Sequence, residues 1–149
     1  MYKWAVRALV RHGIERLNDG DPSFLLRLAH PEIEFTFPGD NSWAGMHRPV
    51  AKGRERHVTH RGIDECRSFA ERFVEAGLHI EIEDILVNGG PWNIRVAVRG
   101  TDHLAGAAGD EYNNRLVDYM VIRWGRVVSW EAYEDTERVA AWDRERAGQ

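Results

Sequence analysis

The hydrophobic pattern changes period lastingly at Gly77, and that change restricts the fold more than any other feature. Before Gly77 the apolar residues of two long stretches recur every three or four positions. Val6, Leu9, Val10, Ile14 and Leu17 form one such stretch, and Ile63, Cys66, Phe69, Ala70 and Phe73 another. This is the spacing of a helix with one buried stripe. After Gly77 the period falls to two, over His79 to Val87, Trp92 to Thr101, Tyr112 to Trp124 and Arg126 to Asp135. The breaks between these strands are Asn88-Gly89-Gly90-Pro91, a Gly/Ala-rich stretch around Gly106 to Gly109, and Gly125. Strands joined so tightly pair antiparallel, and helices must cover one face of their sheet. The pattern predicts an α+β fold.

The remaining segments fit that frame. Asp21 reads as an N-cap with Pro22 at the first helical position, opening a short helix through Leu25, Leu26 and Leu28 that Pro31 ends. Ile33-Glu34-Phe35-Thr36-Phe37 alternates as a strand with one buried face. Residues 38–42 read as a loop, and the basic, unpatterned residues 47–61 as a surface excursion. The tail, Thr136 to Gln149, is a short charged helix bearing Val139 and Trp142. At 149 residues the chain is expected to be one domain, 1–149, with the tail 136–149 appended.

Several partners are set aside at this stage. A net charge of −4 offers no electrostatic footprint for nucleic acid. The single cysteine, Cys66, excludes an internal disulfide and a four-cysteine zinc site. No run approaches the ~18 apolar residues of a membrane span. Arg7 and Arg11 fall where an export signal needs an apolar core, so the expected location is the cytoplasm.

Particular stretches then point to a family. Leu17-Asn18-Asp19-Gly20-Asp21, Arg61-Gly62-Ile63, Pro91-Trp92, Tyr112-Asn113-Asn114-Arg115, Arg123-Trp124-Gly125-Arg126-Val127-Val128 and Trp130-Glu131-Ala132-Tyr133-Glu134-Asp135-Thr136 occur in that order. Together with the element order, the chain resembles the SnoaL-like branch of the nuclear transport factor 2-like superfamily over nearly its whole length. The resemblance implies a curved antiparallel sheet wrapped around three helices. The result is a cone enclosing an apolar cavity, often dimerised through the outer sheet face. Relatives include ketosteroid isomerase, limonene-epoxide hydrolase, scytalone dehydratase, polyketide cyclases and non-catalytic binding domains. The fold therefore cannot choose the chemistry, and the site must.

On the strand from Tyr112 to Trp124, Tyr112, Asn114, Leu116, Asp118, Met120 and Ile122 share one face. Arg115, Val117, Tyr119, Val121 and Arg123 share the other. The resemblance turns the even set toward the cavity and leaves Val117, Tyr119 and Val121 for a homodimer surface. Asp118 is then a carboxylate between Leu116 and Met120. Its strand position is close to that of the oxyanion-hole aspartic acid of ketosteroid isomerase, which burial keeps protonated. Arg95, Ala97 and Arg99 share a face of the preceding strand, and a turn centred near residues 106–107 sets Arg95 across from Asp118. Two readings of Asp118 follow. It is a desolvated general acid or base with a raised pKa, or it is ion-paired with Arg95 and its pKa falls. On the last strand Val128, Trp130, Ala132 and Glu134 share a face, and the resemblance places Trp130 and Ala132 inside. Glu131, Tyr133 and Asp135 fall outside, with Asp135 capping the tail helix.

The expected catalytic set is Asp118, Arg95 and Asp40, the last from the loop at the cavity mouth. Tyr112, Asn114, Trp130, Trp43, Arg99, Phe37 and Met120 are the expected ligand contacts, with Trp43 as a lid. The chain departs from the known machines of the family. Ala97 and Ala132 stand where the epoxide hydrolase pattern needs aspartates. Phe37 and Gly13 stand where the isomerase pattern needs its base and its tyrosine. His57 and His60 lack a third partner for a metal site. No cofactor and no metal are expected. The reading is an enzyme running cofactor-free acid/base chemistry (isomerisation, dehydration or cyclisation) on an apolar ring-bearing small molecule. The alternative is a non-catalytic ligand-binding or dimerisation module. An open, ligand-sized cavity reaching Asp118 favours the enzyme; a cavity filled by side chains favours the module.

Overall fold

The computed structural model describes residues 2–39, 41–45, 57–105 and 111–148. Helix α1 (Tyr2–Asn18) buries Val10, Ile14 and Leu17 on the predicted stripe. At its end the Asn18 side chain donates to the Ile80 carbonyl at 2.8 Å and accepts from the Ile80 N–H at 2.9 Å. Helix α1 is thereby tied to β3 (His79–Asn88). Asp21 accepts from the Ser23 N–H at 2.9 Å, and α2 spans Ser23–Leu28, so Pro22 lies just before the helix rather than inside it.

Strand β1 (Ala29–Pro38) begins earlier than its alternation suggests. Pro31 therefore lies inside a strand instead of ending a helix. It falls between Ala29 and Glu34, where the pairing register shifts and a missing N–H costs least. Helix α3 (Ser42–Gly45) follows. Strand β2 (His57–Arg61) corrects the reading of 47–61 as surface excursion throughout, because His57–Arg61 pairs antiparallel with β1. Helix α4 (Ile63–Ala76) buries Cys66, Phe69, Ala70 and Phe73. It ends where Gly77 adopts φ 67°, a left-handed turn that a side chain would strain, with Leu78 N–H bonded to the Phe73 carbonyl at 3.2 Å.

Strands β3, β4 (Ile94–Ala105), β5 (Glu111–Arg123) and β6 (Arg126–Glu134) form the predicted antiparallel run. Helix α5 (Thr136–Ala147) closes the chain. Asp135 caps it, accepting from Glu137 N–H at 3.1 Å and Arg138 N–H at 3.3 Å. The sheet order is β2-β1-β6-β5-β4-β3, with β1 parallel to β6 and every other pair antiparallel. The fold is α+β: a curved, open six-stranded sheet with its inner face against the helices. Phe35, Phe69 and Trp130 meet at its centre, with ring centroids 4.9 to 5.8 Å apart.

Two register facts decide which side chains enter the interior. The β4–β5 ladder pairs Val98 with Asp118 and Arg95 with Val121, not Arg95 with Asp118. The shift is three residues, and an odd shift moves every side chain of a strand to the opposite face. On β6 a bulge sits between Val127 and Ser129, so Val127 is buried where Val128 was expected inside. Trp130 and Ala132 lie opposite Met120 and Asp118, on the inner face as expected. The even residues of β5 from Tyr112 to Ile122 are all buried.

Candidate active site

Three carboxyl groups reach the inner face from three adjacent strands. Asp118 lies at the centre of β5, flanked by Val98 and Ala132. Glu134 pairs with Leu116 near the end of β6, and Asp102 pairs with Asn114 on β4. All three line one interior cavity of about 40 Å³, walled also by Phe37, Trp43, Phe69, Phe73 and Trp130. Both aspartates are only 4% exposed.

Burial sets their proton affinity. It pushes Asp118 up to about 7, opposed by a hydrogen bond from the Trp130 side chain and assisted by the charge of Asp102. It pushes Glu134 up to about 8, with the charges of Asp102 and Asp118 adding to the effect. Asp102 rises to about 6, again through burial, its own backbone N–H and His103 pulling the other way. The three groups sense one another, so their protons belong to the set. Asp102 Oδ1 is buried with no hydrogen-bond partner. Among the described residues, no group of three His, Cys, Asp or Glu could hold a metal ion.

The expected partner of Asp118 is elsewhere. Arg95 is exposed on the outer face, where the register turns it. Arg99 shares that face and pairs with Glu83 at 3.0 Å, the two side chains 69% and 45% exposed. Ala97 points outward by the same parity, so it does not occupy an inner aspartate position.

Trp43 lies in helix α3 rather than in a loop, and it is buried as a cavity wall. Two elements hold it there. The Arg72 guanidinium of α4 stacks 4.3 Å from its ring and donates to Ser42 Oγ at 3.3 Å. Ser42 donates from its N–H and its hydroxyl to Asp143 of α5, at 2.8 and 2.6 Å.

Tyr112 and Asn114 face inward but bond internally. Asn114 Nδ2 donates to Tyr112 Oη at 2.9 Å and to the Asp135 carbonyl at 3.1 Å, while Tyr112 packs on Trp142 at 5.6 Å. They fasten α5 to the sheet and do not line the inner cavity. Phe37 and Trp130 line it. Met120 lies beyond Trp130, in a second apolar cavity of about 40 Å³ against α1 and α2. His60 is buried on β2, its Nδ1 3.0 Å from Glu65 Oε2. Trp92 is an exposed turn residue away from this cavity. Asp40 and the side chain of His57 lie outside the described residues.

Asp102 and Glu134 were missed as functional candidates. The signal for Asp102 was the even apolar alternation Ile94, Val96, Val98, which marks the inner face and continues to residue 102. Arg95 and Arg99 on the other face of β4 mask that signal. Glu134 shares the inner face of β6 with Trp130 and Ala132, and its parity is the signal for it.

The fold belongs to the nuclear transport factor 2-like class. Within it, residues 10–130 match the family model for the SnoaL-like domain, and the chain belongs to that family. An NTF2-like protein of unknown function from Burkholderia pseudomallei K96243 is 22% identical, with TM-score 0.71 over 92% of this chain and 95% of that one. TerC, co-crystallized with polyporic acid, is 19% identical, with TM-score 0.68 over 92% and 96%. SalBIII, an epoxide hydrolase/cyclase-like enzyme of pyran ring formation in the polyether salinomycin, is 14% identical, with TM-score 0.69 over 91% and 95%. At these identities the likeness concerns the fold. No curated protein matches the chain significantly. Among the described residues no helix is long and apolar enough to cross a membrane.

Proposed function

We propose that the protein is a small-molecule enzyme using cofactor-free acid/base chemistry on an apolar, ring-bearing substrate bound in the inner cavity. One observation carries this reading. Asp118, Asp102 and Glu134 face a single aromatic-walled space that, among the described residues, no cationic side chain lines. Burial raises Asp118 to about 7 and Asp102 to about 6, so the coupled set shares protons near neutral pH. A protonated member then donates to a substrate oxygen while an ionised member accepts a proton. Isomerisation, dehydration and ring closure all need that pairing. Glu134, held higher, serves as a reserve of the same proton. One placed acid or base contributes about 10²–10⁴-fold, which suits a reactive intermediate. The pyran-forming chemistry named for SalBIII favours cyclisation among the three. The outer face around Val117 and Tyr133, both exposed, is the surface proposed for a homodimer.

The test is a carboxyl-carbon NMR titration assigned with Asp118→Asn, followed by a screen of cyclic ketones and dienones. Asp118 is expected to titrate near neutral pH, and turnover to vanish in the variant. Titration at or below the ordinary ~3.9 overturns the reading.

The size of the cavity favours a second reading. About 40 Å³ is far below the ~300–1,000 Å³ of a drug-sized ligand pocket. A binding or dimerisation module of the same fold is therefore the alternative. It gains if no ring-bearing compound moves the Asp118 signal.

A further inference from the structure

The inner cavity carries a charge imbalance that proton transfer alone does not use. Three carboxyl groups line it, and among the described residues no lysine, arginine or histidine does. The remaining walls include the rings of Phe37, Phe69 and Trp130, and that of Trp43, which the Arg72 guanidinium already stacks against. Aromatic faces carry partial negative charge and attract cations. Carboxylates and ring faces thus favour the same sign of ligand.

Asp102 supplies a second, independent observation. It is 4% exposed, it lines the cavity, and its Oδ1 meets no hydrogen-bond donor. Such an atom is costly to bury unpaired, and an incoming N–H satisfies it. We propose that the cavity takes the protonated nitrogen of a ring-bearing amine, with Asp102 Oδ1 accepting its first hydrogen bond and the aromatic walls enclosing it. This goes beyond the functional reading above, whose substrate is apolar, and rests only on its identification of the cavity as the ligand site. The cavity of about 40 Å³ suits an ammonium head group better than a whole ring system.

A bound cation favours the ionised carboxyls, so binding expels protons. The other groups acting on the trio or on its neighbour Tyr112 are His103 on β4, Asp135 at the cap, and Asp143 and Arg138 on α5. An imidazole can itself exchange protons in this pH range, so His103→Gln is the control for that contribution.

The experiment is calorimetry of the native protein with benzylamine and with benzyl alcohol, in buffers of different ionisation enthalpy. Carboxyl-carbon NMR of Asp118 and Glu134 runs alongside. Benzylamine, protonated as a lysine amine is, should bind at least about tenfold more tightly than the alcohol. It should release protons, gain affinity as pH rises from about 5.5 to about 8, and keep that release in His103→Gln. Asp102→Asn should lose the preference for the amine. Equal or tighter binding of the alcohol, or amine binding without proton release, overturns the inference. If the alcohol alone moves the carboxyl signals, this inference falls and the site reading stands. If neither compound moves them, both fall. Should Asp102→Asn fail to fold, the amine-to-alcohol ratio and the proton release of the native protein decide alone.

Discussion

Asp118→Asn should change how stability depends on pH, whether or not the protein is a catalyst. In the unfolded chain Asp118 titrates near 3.8; in the fold it is raised to about 7, mainly by burial. The folded state therefore binds the extra proton between those values, and the slope of unfolding free energy against pH is negative there. A raised carboxyl contributes nothing adverse below its unfolded pKa. Its penalty grows through the window and levels off only above the folded pKa. About three pKa units at 1.36 kcal/mol each is roughly 4 kcal/mol lost between pH ~4 and pH ~8. Asparagine keeps the shape and cannot ionise, so the variant is spared this loss. Urea unfolding of both proteins across that range gives the measurement. The stability difference between variant and parent should swing by roughly 4 kcal/mol in favour of the variant as pH rises. Parallel curves would show Asp118 ionising freely in the fold, and the desolvation argument would be wrong.

Four further outcomes follow from other parts of the structure. Arg95→Ala should leave the Asp118 titration unmoved and stability within about 0.5 kcal/mol, since Arg95 lies on the opposite face; an upward shift of the Asp118 titration in the variant would mean that Arg95 faces it and would contradict the register. Gly100→Ala should destabilise by about 1–3 kcal/mol in thermal unfolding, because its Cβ would stand 2.2 Å from the Glu81 carbonyl oxygen; an unchanged melting temperature refutes that close approach. Asp143→Ala removes both acceptors of Ser42 and should cost about 1–3 kcal/mol, with Trp43 more open to acrylamide quenching when read against Trp43→Phe; quenching identical to the parent would mean the clamp holds nothing. Trp124→Asn should stabilise by up to ~1 kcal/mol, because Trp124 is 75% exposed and adopts φ 48° in the two-residue turn before Gly125; a lower denaturation midpoint would mean the ring makes contacts that outweigh the strain.

The types of the elements could be read from the chain because local signals agree with them. Val10, Ile14 and Leu17 repeat at helical spacing, Gly77 stops α4, Asp135 caps α5, and the alternation from Tyr112 to Ile122 separates an inner from an outer face. Each of these depends on residues a few positions apart. The inner position of Asp118 follows from the same alternation together with the family's orientation of the strand.

The composition of the site depends on distances along the chain that no local signal spans. Arg95 and Asp118 are separated by a Gly/Ala-rich stretch whose sequence does not specify the strand register, and a three-residue change of register exchanges the two faces of β4. The bulge at Val127 and Ser129 adds a residue to β6 without a glycine or proline to mark it. Strand β2 lacks a local apolar pattern and exists because β1 offers it an edge; the parallel pairing of β1 with β6 joins residues about a hundred positions apart. Alternation along one strand is a property of the backbone and is written in the sequence. Which three strands bring Asp102, Asp118 and Glu134 to one space is a property of register and sheet order, and only the folded chain decides it.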